Sequence, residues 1–222
     1  MAWVEFGGAV CLFLLSHALP VRPPLRPWLV ARLGARGFTL AYSVLSLAVL
    51  VWLIAAAGRA PFVPLWDEAT WHRYVPILAL LPACMIIGLA VARPNPFSFG
   101  GASNAAFDPA DPGIIRWMRH PLLVALSIWA GAHLFANGDL AHALLFGLFL
   151  IFALLGMRMI DRRRQREMGA RWPALVAAMA AGPIWPRPVD HARALLRLGL
   201  GLGLYGLLLL LHPAVIGVSP WP

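Results

Sequence analysis

Apolar residues in this chain neither alternate nor recur on a single helical face; they come in long runs broken by short polar stretches. A helix needs about 20 residues to cross the hydrocarbon core of a bilayer. Six runs approach or meet that length: Ala2–Leu19, Phe38–Ala57, Val75–Ala92, Pro121–Ala136, Leu140–Ile160 and Ala194–Leu211. The fourth is short, and its helix is expected to begin a turn earlier, near Trp117. The pattern predicts an all-α fold, a polytopic membrane helical bundle of about six transmembrane helices forming one integral membrane domain over residues 1–222.

Proline and glycine punctuate the runs. Pro20, Pro23, Pro24 and Pro27 should stop the first helix and make its connection stiff and extended, because proline lacks the N–H a helix needs and restricts the residue before it. Pro61 and Pro64 follow the second run, and Pro94 and Pro96 the third. Within the third, Pro76 suits a first helical turn and Pro82 should kink the helix. Asn137-Gly138-Asp139 predicts a tight turn, with Gly138 left-handed and Asp139 capping the next helix, so the fourth and fifth helices should be antiparallel neighbours. After Ile160 the arginine-rich segment should prolong the fifth helix, followed by an amphipathic surface stretch around Trp172 to Met179. Gly199, Gly201 and Gly203 make a small-residue face for close packing, within the subunit or across a homo-oligomer.

Composition supports the membrane reading: 61% of residues are hydrophobic and 12% charged, against roughly 25% charged in soluble domains. All 18 basic residues are arginine, giving a formal charge of +9. They punctuate the apolar runs and form no soluble basic face, so nucleic-acid binding is not expected. They also orient the chain, because basic residues are retained on the cytoplasmic side. The first, third and fifth connections are arginine-rich, the second has only Arg59 and Arg73, and the fourth has none. A bacterial inner-membrane protein with both termini periplasmic is predicted, with membrane lipids as its surroundings and Ala2–Leu19 retained as a helix. Trp3, Trp28, Trp66, Trp71, Trp117 and Trp221 fall near the ends of the runs, as an interfacial belt would. Cys11 and Cys84 lie in separate apolar runs, have no metal-ligand spacing and read as small buried hydrophobes.

Ionisable groups inside a bilayer are costly and therefore informative. Three histidines stand out among the seven: His17 near the cytoplasmic end of the first run, His120 beside Arg119 at the mouth of the fourth, and His133 deep within the fourth. A neutral imidazole ligates iron, and noncovalent haem b needs only one or two such ligands in an apolar pocket. The absence of CxxCH excludes covalent haem attachment, and the scarcity of carboxylates inside the runs argues against a carboxylate metal cage. No GxSxG, P-loop or HExxH occurs.

Several short motifs then combine: Phe13-Leu14-Leu15-Ser16-His17, Arg22-Pro23-Pro24-Leu25-Arg26, Arg36-Gly37-Phe38, Gly58-Arg59-Ala60-Pro61, Arg93-Pro94-Asn95-Pro96, Arg119-His120-Pro121, Ala132-His133-Leu134 and Gly156 to Asp161. In this order and spacing they resemble the NnrU family of bacterial membrane proteins over about residues 1–185, leaving the run at about 194–211 as a final transmembrane helix. That family is associated with denitrification and nitric-oxide metabolism and is similar to 15-cis-zeta-carotene isomerase, an integral membrane enzyme holding haem b through histidines. The resemblance implies haem b on His17 and His133, with His120 and Arg119 as nearby catalytic candidates, and a hydrophobic polyene or NO as the molecule acted upon.

One geometric difficulty attends that pair. His133 is 12 residues beyond Pro121, roughly 18 Å along a straight helix at ~1.5 Å per residue, so straight vertical helices would pair His17 with His120 more easily. A more distant similarity is to isoprenylcysteine carboxyl methyltransferases, in which an Arg-His-Pro helps form the methyl-donor site. That alternative reading, an S-adenosylmethionine-dependent enzyme, lacks the family's usual Tyr, since Leu122-Leu123 follow Pro121 here. A non-catalytic accessory role in assembling a nitric-oxide reductase is the third reading.

Overall fold

The computed structural model describes residues 1–99, 104–185 and 188–221. Among them the chain is all-helical, with seven α-helices: α1 (Ala2–Ala18), α2 (Leu25–Arg59), α3 (Tyr74–Ala90), α4 (Pro121–Ala136), α5 (Leu140–Met168), α6 (Arg171–Ala181) and α7 (His191–Ile216). The strand-like pairing observed is an isolated bridge between Pro64 and Asp139. Helices α2, α5 and α7, and α3 with the turn before it, are long and apolar enough to cross a bilayer; α1 and α4 are apolar but shorter, at 17 and 16 residues. About six apolar helices of a membrane protein are therefore present, as the hydrophobic runs predict. Their exposed leucines, valines and isoleucines suit a lipid environment, in which the backbone must satisfy its own hydrogen bonds.

The chain forms two compact units, residues 1–66 with 139–145, and residues 67–138 with 146–222; α5 starts in the first and continues in the second. In the first unit α1 and α2 pack together. Glu5 near the start of α1 accepts from Trp52 Nε1 at 3.2 Å and pairs with Arg59, which accounts for a carboxylate within an apolar helix. The first connection departs from the extended stretch expected of its prolines. Helix α2 already starts at Leu25, with Pro27 in its first turn, where the missing N–H has no helical partner to lose. The break comes instead at Gly34, whose φ of 71° interrupts the helix.

In the second unit α3 packs against both α4 and α7. Helix α3 remains continuous across Pro82. The α3–α7 crossing is glycine on glycine, but at one position of the expected face. A Cβ on Gly201 would lie 2.9 Å from Cys84 O, and one on Gly88 would lie 2.6 Å from Gly201 N, while nothing stands within 4 Å of such an atom on Gly199 or Gly203. Cys84 is buried at this crossing, whereas Cys11 is exposed, contrary to the expectation of two buried thiols.

Helix α4 begins at Pro121 and not near Trp117. His120 at its N-cap has φ −121° and ψ 62°, outside the helical region that a following proline disfavours, and residues 113–116 form a separate 3-10 turn. At the far end Asn137 Nδ2 donates to His133 O at 2.7 Å, Gly138 N donates to Glu68 Oε1 at 2.9 Å, and Asp139 accepts from Ala141 N and His142 N as the cap of α5. The cap is as expected; among the described residues the glycines with positive φ are Gly34, Gly113, Gly169 and Gly217, not Gly138. Helices α4 and α5 are antiparallel neighbours, since His133 meets Phe146, Leu123 faces Gly156, and His120 reaches Asp161. The amphipathic stretch is α6, which buries Trp172 and Met179 against Phe97, Ile114 and Ile115.

Candidate functional site

Two constellations occupy the two ends of α4. At the N-terminal end, Pro121 starts the helix and leaves His120 just outside it, 4% exposed. Its Nε2 lies 2.8 Å from Asp161 Oδ1, and its Nδ1 lies 2.9 Å from Ser98 Oγ. An ionised carboxylate only accepts, so Nε2 carries the proton and Nδ1 accepts from the Ser98 hydroxyl. Arg119 closes the other side of Asp161 through two bonds, Nε to Oδ1 at 3.1 Å and Nη2 to Oδ2 at 2.6 Å. These bonds raise the pKa of the Arg119 guanidinium against the opposing effect of burial. The guanidinium also lies 5.7 Å from the ring centroid of Trp172, a cation–π contact.

The loop before α4 completes this network. Asn95 is buried, donates through Nδ2 to Arg119 O at 2.9 Å, and accepts at Oδ1 from Phe97 N at 3.0 Å. Arg164, one turn beyond Asp161 on α5, donates to Ser98 O at 3.3 Å. The Ser98–His120–Asp161 order has the proton arrangement of a general-base relay, but Ser98 is 3% exposed and every member has a protein partner. Its chemistry as built is to hold the start of α4, the loop and the end of α5 in one register.

The other constellation surrounds His133, 13 residues further along α4. Its Nδ1 lies 2.9 Å from the carbonyl of Trp129, one turn back. A carbonyl only accepts, so Nδ1 carries the proton and the neutral ring has its lone pair on Nε2. Trp129 and Phe146 place their ring centroids 5.1 Å from that of His133, and Phe149 lies 5.7 Å from Trp129. In the first unit His17 repeats the device: Nδ1 lies 2.8 Å from Phe13 O, the carbonyl one turn back, with Phe13 at 4.2 Å and Tyr42 at 6.2 Å between centroids. Ser16 Oγ donates to the same carbonyl at 3.1 Å.

The structure thus brings Arg119 and His120 together on Asp161, and sets His17 and His133 in separate units, each among aromatic rings. No cluster of three or more histidine, cysteine or carboxylate side chains able to hold a metal ion occurs among the described residues. Haem iron asks for less, one or two nitrogens with their second ring N–H fixed, and both histidines fit that donor chemistry. Sequence reasoning missed Ser98, Asn95 and Trp172 as partners. Asp161 was visible as the carboxylate closing the apolar run of α5, but a separation of 41 residues from His120 carries no local signal.

Residues 5–220 match the family described as NnrU protein, and the chain belongs to that family. The match runs through α7, beyond the region of about 1–185 that the motifs cover. No curated protein and no solved structure matches the chain.

Proposed function

We propose that this member of the NnrU family is a haem-b-binding protein of the bacterial inner membrane, with both termini periplasmic, in which His133 and His17 are the histidines that would offer a nitrogen to the iron. The observation that carries the reading is the His133 Nδ1–H bond to the carbonyl one turn back, which presents Nε2 as its ligating nitrogen; His17 Nδ1 bonds Phe13 O in the same way. Haem would supply an iron able to interact with a conjugated double bond or to bind NO. The protein contributes orientation and an apolar setting: the Trp129 carbonyl fixes the rotation of the His133 ring, and Trp129 and Phe146 pack beside it. A polyene dissolved in the bilayer suits such an aromatic setting, and cis–trans isomerisation needs no net proton transfer.

In this reading Arg119 and His120 are positioning residues: Arg119 is turned onto Asp161 through Nε and Nη2 and His120 through Nε2, and nothing in this geometry favours the methyltransferase alternative. The test is an absorbance spectrum of protein purified from haem-replete cells, with and without dithionite. A Soret band is expected that is lost in His133→Ala and weakened in His17→Ala; colourless wild-type protein would sink the proposal. Incubating the ferrous protein with a cis-polyene, and separately with NO, then distinguishes isomerase activity from gas binding.

A further inference from the structure

Where α3 ends and α7 begins, a cavity of about 400 Å³ is lined by three arginines, Arg93, Arg193 and Arg197, and three aspartates, Asp108, Asp111 and Asp190. The formal charges cancel, but the hydrogen-bonding capacity does not. Asp111 takes Arg93 Nη1, through its backbone oxygen at 2.9 Å and its carboxylate at 3.5 Å. Asp190 pairs with Arg193 at 3.1 Å and caps α7 by accepting from Arg193 N at 2.9 Å. Asp108 is exposed and accepts from Ala110 N.

What remains belongs to arginine. Arg197 is half-buried, donates Nε to Val91 O at 3.2 Å, and forms no ion pair with a carboxylate among the described residues. The Arg93 side chain is 14% exposed, and its buried Nε has no hydrogen-bond partner. Its guanidinium lies on Gly113, where a Cβ would stand 2.6 Å from Nε, so the close seat requires glycine. A buried guanidinium N–H left unpaired costs its desolvation, which a ligand oxygen would recover.

We propose that this cavity binds the phosphate of a phospholipid headgroup, held between the guanidinium groups of Arg93 and Arg197 with Arg193 at its rim. Planar forked donors match phosphate oxygens in pairs. The location selects a lipid over a soluble ester, because the cavity sits at the end of two apolar helices, where headgroups lie, and basic pockets at that level recognise them. Leu195, Leu196 and Leu200 beside it on α7 are 68%, 64% and 49% exposed, an apolar path for an acyl chain. The site does not depend on the haem proposal.

The test uses the full chain in detergent, incubated with phosphatidylglycerol, phosphatidylethanolamine or phosphate-free diacylglycerol, and read by native mass spectrometry; a parallel arm measures thermal stabilisation by inorganic phosphate. One retained phospholipid and no retained diacylglycerol are expected. Arg197→Gln should lower retention about tenfold, the scale of one charged hydrogen bond. Arg162→Gln, on the exposed tail of α5, should change nothing. If Arg197→Gln proves unfolded by circular dichroism, Arg193→Gln at the rim should still reduce retention about threefold, the scale of a weaker exposed contact. Stabilisation by inorganic phosphate, lost in Arg197→Gln and without lipid retention, would overturn the lipid assignment in favour of soluble phosphate. Equal retention by wild type and the cavity variants, equal loss in Arg162→Gln, or no bound phosphate species would overturn the site.

Discussion

His120 caps the start of α4 and His133 lies near its end, the same residue type in opposite surroundings. His120 uses both ring nitrogens on Ser98 and Asp161 and is 4% exposed. His133 is half-buried among aromatic rings and uses one nitrogen, on a carbonyl of its own helix. A fully bonded imidazole locks structure; one bonded at Nδ1 is pre-oriented at Nε2. Polar character at a helix mouth therefore does not by itself mark the reactive group, and under the proposed haem reading the deeper residue is the ligand.

The sharpest way to break the comparison is at the carboxylate. Asp161→Ala would leave Arg119 and His120 both without their acceptor, and a loss of about 2–3 kcal/mol is expected, below the ~3–5 kcal/mol of a fully buried pair because Arg119 is 40% exposed. Unfolding of the detergent-solubilised protein measures it, and an unchanged midpoint would show that the network holds nothing. Ser98→Ala strands the buried Nδ1 of His120, with an expected cost of about 1–2 kcal/mol in the same assay. Arg119→Lys keeps the charge but cannot make the paired contacts on Asp161, and about 1 kcal/mol should be lost. The smallest stability effect is expected at the other end of α4, where His133→Ala removes one local hydrogen bond with the ring's contacts to Trp129 and Phe146, and about 1 kcal/mol should be lost because the ring is only half-buried. The same variant should nevertheless abolish the Soret band, which the three network variants should retain. A spectrum lost in Ser98→Ala with the fold intact would reverse the roles assigned to the two ends.

Much of the fold was legible because it follows from local patterns. The six apolar runs all became helices, Asp139 capped α5 as its spacing implied, and α6 formed where the amphipathic stretch lay. Legibility failed where two local rules competed. At Pro27 a first-turn position tolerates proline, so helix replaced the expected extended connection, and Gly34 made the break. Near Trp117 the hydrophobic run suggested an earlier start, but Pro121 set the boundary by excluding His120 from the helix.

Sequence alone determined that the chain is a helical membrane protein of the NnrU type, because run length, arginine placement and motif order are properties of neighbouring residues. It also singled out His17, Arg119, His120 and His133, since imidazoles and guanidinium groups beside apolar runs are costly wherever they lie. Only the tertiary structure decided what each of them touches. Asp161 meets His120 across 41 residues, and Gly201, not Gly199 or Gly203, meets α3. Such partners depend on helix rotation and crossing, and a shift of one residue in either would exchange them for their neighbours.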